Sequence, residues 1–427
     1  MNKETNKLIP DLRFHEFVND GEWVNRSIDS VGDVVTGSTP SKEDKEYWGG
    51  EFVWVTAQDF KEKYIFNSVL KLTQKGKDKS RVIPVNSVLV TCIASIGLNG
   101  INKVECATNQ QINSVICNSQ NHFEFIYYAI SHNNIRLKNM AGQTAVPIIS
   151  KSVFEKFTIQ TPQTHKEQLK IASCLSSLDE VIANHNQKLA TLKLHKKGLM
   201  QNLFPQEGET VPKYRFPEFV NDVEWEQRSI IDTADKKVKW SFTGGPFGSN
   251  LKASDYTSKG IRIIQLQNIG DGEFNDDYKI YTSEEKANEL LSCNIYSGEI
   301  IISKMGDPVG RACIIPSFLN RCVMASDGIR LVVDEKKYSK YFIYSLINSK
   351  RIREAIEKKA TGSTRKRIGL DELRGIELII PKELDEQQKI AECLSSLDAL
   401  IKEQEERIEQ LKLHKKGLMQ GLFPKSN

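Results

Sequence analysis

At 427 residues, 39% hydrophobic and 27% charged, the chain has the composition of an ordinary globular protein and the length of two or three domains. No apolar run reaches the length of a membrane span and the N-terminus lacks a signal-peptide stretch, so a cytoplasmic protein with no membrane association is expected. A net charge of +4 is small for a binder resting on phosphate neutralisation alone; eight cysteines without a C-x-x-C pair, and seven histidines, argue against a disulfide scaffold or a zinc site.

In chain order, the first feature is a short marker, RFHEFVNDGEWVNRSI at 13–28. A Gly/Ser/Thr turn follows at Thr36-Gly37-Ser38-Thr39-Pro40, then a strand-like run with polar ends, FVWVTAQDF (52–60). SVLVTCI (87–93) reads as a buried strand leading into Gly97 and Gly100, and ATNQQINSVI (107–116) precedes an amphipathic helical stretch around 122–139 and the segment AGQTAVPI (141–148). Residues 162–205 then read as one long helix, with a capping-box pattern at Thr164 and Glu167 and a stop at Pro205. Its apolar residues recur at 4-3 spacing (Ile171, Leu175, Leu178, Ile182, Leu189, Leu192, Leu199, Leu203), a coiled-coil seam interrupted at His185 and Lys196.

The same order then starts again. RFPEFVNDVEWEQRSI (215–230) repeats the marker at offset 202, and Gly245-Pro246-Phe247-Gly248-Ser249 supplies the turn. IRIIQLQNI (261–269), GEIIISK (298–304) leading to Gly306 and Gly310, ASDGIRLVV (325–333), a helical stretch at 338–359 and TGSTRKRI (361–368) complete the parallel. Residues 381–424 repeat 162–205 at offset 219 without a gap, 26 of 44 positions being identical, with seam interruptions at Gln404 and Lys415. A two-copy period of this size means duplicated domains, since solenoid repeats span only about 20–50 residues. The expected architecture is a duplicated α/β (α+β) domain, with the two long helices paired as an antiparallel coiled coil about 50–60 Å long. Cys174 and Cys393, equivalent in the two helices, are expected to be buried free thiols. LKLHKKGLMQ is kept whole in both copies, and its lysines, Lys193, Lys196 and Lys197 with Lys412, Lys415 and Lys416, read as a solvent face used twice for one partner.

Polar residues at strand ends and turns carry the chemistry. Asn and Gln pair bidentately with adenine and Arg with guanine, while Ser, Thr and the amides of Gly-rich turns suit phosphate oxygens. The candidates in the first half are Gly37, Ser38, Thr39, Gln58, Asn109, Gln110, Gln111, Gln143 and Thr144. In the second they are Gly248, Ser249, Gln265, Gln267, Asn268, Lys304, Arg311, Ser363, Thr364, Arg365, Lys366 and Arg367. Singly each is more often solvated; their weight lies in matching positions whose identities differ between the halves. No nucleotide-binding G-x-x-x-x-G-K-[ST] loop, methyltransferase motif, clustered metal ligands or nuclease constellation is found, so no catalytic role and no bound cofactor or metal is expected.

Marker, variable segment and long helix, twice over, together with TGSTP…YWGG…FVWVTAQD, G-S-x-L-K…DY…KGIRIIQLQN, TGSTRKRI and I-A-x-C-L-S-S-L-D…LKLHKKGLMQ-x-LFP, resemble the specificity subunits of type I restriction-modification enzymes. The first segment departs from that family's pattern at Gln143, where Ser or Thr is usual. The resemblance implies target-recognition domains at 1–161 and 206–380 and spacer helices at 162–205 and 381–427. Each domain would read one half of an asymmetric, bipartite site in double-stranded DNA, and the helices would set the gap and bind two modification subunits. S-adenosylmethionine-dependent adenine methylation would lie in those partners, and ATP- and Mg-dependent cleavage in two restriction subunits. Two competing readings remain: a self-contained nucleic-acid enzyme, and a coiled-coil adaptor that does not bind DNA.

Overall fold

The computed structural model describes residues 8–141, 146–362 and 365–425. By packing, the chain divides into two compact units, residues 1–187 with 406–427 and residues 188–405. The division cuts through two 39-residue helices, a central one at His165–Leu203 and a terminal one at Leu384–Leu422. Each unit therefore holds a sheet domain, the beginning of one long helix and the end of the other.

In the first unit a five-stranded sheet runs Gly32–Thr36, Ile112–Cys117, Val88–Thr91, Asn99–Asn102, Tyr64–Ile65. A three-stranded sheet of Leu70–Leu72, Trp48–Val55 and Cys106–Thr108 lies alongside it in sequence. The core gathers Trp23, Phe125, Phe154 and Ile159 from the sheet domain, Ile171 and Leu175 from the start of the central helix, and Leu422 and Phe423 from the end of the terminal one. Phe125 stacks on Phe423 with ring centroids 5.5 Å apart, and Trp23 meets both edge-on. At about 25 cal/mol per Å² of apolar surface removed from water, burial of these rings stabilises the unit.

The second unit repeats the plan. Its sheets run Phe242–Gly244, Gly328–Leu331, Ile300–Ser303, Ala312–Ile314, and Tyr256–Thr257, Ile280–Thr282, Ile261–Ile264, Arg321–Met324, Asn294–Tyr296. Trp225 and Phe204 flank Phe342, with Ile390 and Leu394 of the terminal helix in the same core. Phe204 and Phe423 are the same position of the repeated LFP ending, so each long helix ends by plugging a core.

The marker has a structural job in both units. Val24–Ser27 pairs antiparallel with Thr158–Thr161, and Glu226–Ser229 with Glu377–Ile380, tying the marker to the strand that enters each long helix. Arg13 ion-pairs with Glu167 at 2.8 Å, and the Trp23 indole N–H donates to the same carboxylate at 3.2 Å. The anticipated capping box is thus only half formed. Thr164 Oγ1 accepts from the Glu167 N–H at 3.3 Å, but the Glu167 carboxylate is turned inward to Arg13 and Trp23.

Within each unit the two helical segments run antiparallel. In the second unit Lys193 pairs with Glu405 at 2.6 Å and Lys196 with Asp398 at 2.5 Å, so one segment ascends as the other descends. In the first unit Lys415 pairs with Asp179, which also accepts the Tyr128 hydroxyl at 2.5 Å. This corrects the reading of Lys196 and Lys415 as solvent-side. They are half-buried and consumed by internal ion pairs, which explains both their retention and their break of the apolar seam. Cys174 and Cys393 are free and half-buried. No helix among the described residues is long and apolar enough to cross a membrane.

Candidate nucleic-acid interface

Strand direction gathers the polar candidates of the first unit at one edge. Trp48–Val55 and Cys106–Thr108 are parallel neighbours, Val55 facing Thr108, so both deliver their C-terminal ends to the same side. Gly32–Thr36 and Val88–Thr91, antiparallel to Ile112–Cys117, end beside the start of that strand. There the Gly37 N–H donates to the Ile112 carbonyl at 3.0 Å and the Ser38 N–H to Thr108 at 2.8 Å. Thr39 Oγ1 donates to Gln110 Oε1 at 2.5 Å, and Asn109 and Gln111 bond one another through side chain and backbone. A Cβ at Gly37 would stand 2.2 Å from the Asn109 carbonyl, so only glycine lets the two turns close. Gln58, exposed on the turn Ala57–Asp59, follows directly from the same strand end.

The second unit assembles the equivalent edge from different residues. Ile261–Ile264 and Arg321–Met324 are parallel, and the strand Gly328–Leu331 begins where they end. The Lys304 N–H donates to the Asp327 carbonyl at 2.6 Å, the Ile368 N–H to Lys304 at 3.0 Å and the Gly306 N–H to Lys366 at 3.1 Å. Lys304 and exposed Arg365, Lys366 and Arg367 thus share one edge, Lys366 ion-paired with Glu357 and Arg367 3.4 Å from Asp327. Gly245 packs against Ala325, leaving Gly248 and Ser249 exposed on the same turn.

Not every candidate faces outward. Asn268 is fully buried: its Oδ1 accepts from the Gln265 N–H at 3.0 Å, and its Nδ2 donates to the carbonyls of Asn275 and Tyr278 at 2.8 and 2.9 Å. Its amide shapes the turn and has nothing left for a base edge. Asp59 takes the same part in the first unit, receiving the Thr56 N–H at 2.8 Å. Gln265 is half-buried and donates to the Tyr256 hydroxyl at 3.2 Å, whereas Gln267 is exposed. Arg311 is partly buried, its Nε without a partner among the described residues. Gln143, Thr144, Ser363 and Thr364 lie outside the described residues.

Sequence reasoning missed Arg81, which donates from its backbone to Ser38 Oγ at 3.1 Å and from Nη1 to the Thr36 carbonyl at 2.7 Å. It also missed the indole N–H of Trp54, which reaches the Ser38 carbonyl at 3.2 Å. Arg81 lies outside the runs that parallel one another in the two halves, and Trp54 is an apolar position within one of them. Their role comes from long-range pairing alone. Together the edges offer amides and hydroxyls in one unit and mainly cations in the other, a donor set suited to base edges and phosphates. Cys92, whose N–H donates to the Gln111 carbonyl at 2.7 Å, has its thiol pushed up to about 11 by burial.

Residues 20–194 and 259–413 each match the family model of the type I restriction modification DNA specificity domain. The MjaVIII specificity subunit of a type I restriction enzyme from Methanocaldococcus jannaschii is 23% identical over 408 residues, covering 92% of this chain and 91% of that one. The MjaIX specificity subunit of the same organism is 29% identical over 254 residues, 58% of this chain and 56% of its own. In fold, the chain is similar to the S subunit of a type I restriction-modification system from M. genitalium, with a TM-score of 0.61 at 17% identity over 98% of this chain and 100% of that one. The relatives are specificity subunits, DNA-recognition components and not catalysts.

Proposed function

Because this chain belongs to the type I restriction-modification DNA specificity family, we propose that its two units each read one half of an asymmetric, bipartite site in double-stranded DNA. The two long helices set the distance between the halves and bind two modification subunits, and two restriction subunits complete the nuclease. S-adenosylmethionine, ATP and Mg belong to those partners, and the assembly works in the cytoplasm. One observation carries this reading: two units of the same build place different polar residues at the same edge, Asn109, Gln110 and Gln111 in one and Lys304 with Arg365 to Arg367 in the other. Unlike readers on one scaffold fit unlike half-sites, with phosphate contacts for register and side chains for sequence.

The test exchanges residues 231–380 for the corresponding segment of another specificity subunit and maps the adenines methylated by the assembled enzyme. One half of the site changes and the other is kept; a change in both halves refutes modular reading. Cleavage or methylation by the purified chain alone, given DNA, Mg and S-adenosylmethionine, would instead establish a self-contained enzyme.

A further inference from the structure

We propose that a cavity in the second unit, between the end of the central helix and the start of the helix Lys350–Lys359, binds a phosphate group. The cavity has a volume of about 690 Å³, within the range of small-ligand pockets. One wall is the N-terminus of that ten-residue helix, whose first turn carries no acid and whose early residues include Lys350, Arg351 and Arg353. Cations at the positive end of a helix dipole are unfavourable unless an anion joins them.

Ser349, at the N-cap and lining the cavity, is 3% exposed. Its hydroxyl neither caps the helix nor finds another partner among the described residues. A buried hydroxyl left unpaired is unfavourable, and a phosphate oxygen is an acceptor it could take up. Lys193 and Lys197 face it from the central helix, and Lys197 has no acidic partner among the described residues. Asp271 is the one acid in the lining, 3.2 Å from Arg353 and itself 70% exposed. Burial disfavours the Arg353 charge and the neighbouring Arg311 adds to that, only partly offset by Asp271. Arg351 donates to the carbonyls of Pro205 and Glu209 at 3.4 Å and meets no carboxylate among the described residues.

The equivalent position of the first unit carries a larger side chain. Phe125 and Phe342 occupy equivalent core positions, each against a tryptophan and the phenylalanine of an LFP ending. Three residues on, the first unit has Tyr128, its ring filling the interior and its hydroxyl 3.0 Å from Lys63 Nζ; the second has Ser345, which lines the cavity. Unpaired first-turn amides, a free hydroxyl and converging lysine and arginine side chains make an oxyanion site, and charge-assisted bonds to phosphate are the strongest these groups form. The phosphate comes either from a free ligand such as inorganic phosphate or a nucleotide, or from the backbone of bound DNA. Pro308, in the loop that leaves the Lys304 edge, also lines the cavity and keeps the second source within reach.

The experiment is a ³¹P NMR titration of the full-length chain with inorganic phosphate. Saturable binding is expected, weakened about tenfold by Ser349→Ala or Lys197→Gln, the loss of one bond to a charged group. Lys416→Gln, the equivalent lysine of the other helix, leaves it unchanged. Absence of saturable binding, or equal weakening by Lys416→Gln, overturns the proposal. Release of phosphate on adding a random-sequence duplex assigns the site to the DNA backbone, and its retention assigns it to a free phosphate. Half-site mapping is a separate readout, so failure of the DNA-reading proposal leaves this measurement standing.

Discussion

Nε and Nη2 of Arg13 each donate to one carboxylate oxygen of Glu167 at 2.8 Å, and Arg215 grips Glu386 in the same bidentate way at 2.7 Å. The markers repeat at offset 202 and the helices at 219, yet the pairing is preserved, so the 17-residue difference is absorbed entirely between them. Hydrogen bonding to Glu167 holds the Arg13 guanidinium above its ordinary pKa despite burial.

Glu167→Gln leaves Arg13 charged and buried without its counter-ion, the side chains being 7% and 1% exposed in the native pair. A loss of about 3 kcal/mol is expected, the usual result of breaking a buried pair from one side. Urea denaturation measures it, and Glu386→Gln should cost a similar amount in the second unit.

Phe423→Ala opens a cavity among Trp23, Phe125 and His132. It should destabilise the first unit by about 3–5 kcal/mol. Hydrogen exchange should quicken at 23–175 and stay slow at 225–394, and Phe204→Ala should give the opposite pattern.

Acid should loosen the first unit before the second. His122 and His132 are both held below their ordinary pKa, chiefly by burial, with the Pro424 carbonyl opposing the shift at His132. A depressed histidine takes up its proton in the unfolded chain first, so its contribution to stability is full above pH about 6.5 and falls as pH drops below it. Melting temperatures at pH 7.5 and 5.5 measure the decline, and His132→Gln should shrink it.

Asn268→Ala and Gln110→Ala separate shaping from reading. The first strands the groups bonded to a buried amide and should lower stability by about 1–3 kcal/mol. The second removes an exposed side chain and should leave melting unchanged while altering the methylated site.

Adding one helical turn at 187/188 and another at 405/406 leaves Lys196–Asp398 and Lys415–Asp179 inside their own units. Both units should melt as before. On the ruler reading, the gap between half-sites, mapped by methylation, lengthens by the rise of one turn, about 5.4 Å; an unchanged gap counts against that reading.

The duplication, the long helices and the strand runs were legible because periodicity and self-similarity are local signals. FVWVTAQDF ends its strand at Val55, and Ala57–Asp59 then turns. What escaped was set by distant partners. Glu167 looked like a capping residue because Arg13, more than 150 positions away, is invisible to local pattern. Asn268 looked like a reader because buried and exposed amides are alike in sequence. Lys196 and Lys415 looked solvated because their aspartates lie on another helix.

The first unit draws its last core residues, Leu422 and Phe423, from the far end of the chain, whereas the second is one contiguous stretch, 188–405. On the ribosome the order of completion therefore reverses the order of synthesis. The second unit can close as soon as residue 405 emerges. The first, synthesised through Leu175 long before, keeps Trp23 and Phe125 uncovered until Phe423 follows roughly 250 residues later, about 10–50 s of elongation at about 5–20 residues per second. During that interval its open core is the most aggregation-prone surface of the nascent protein, and chaperones that cover exposed aromatic surface should be found on residues 23–175 before any other part of the chain.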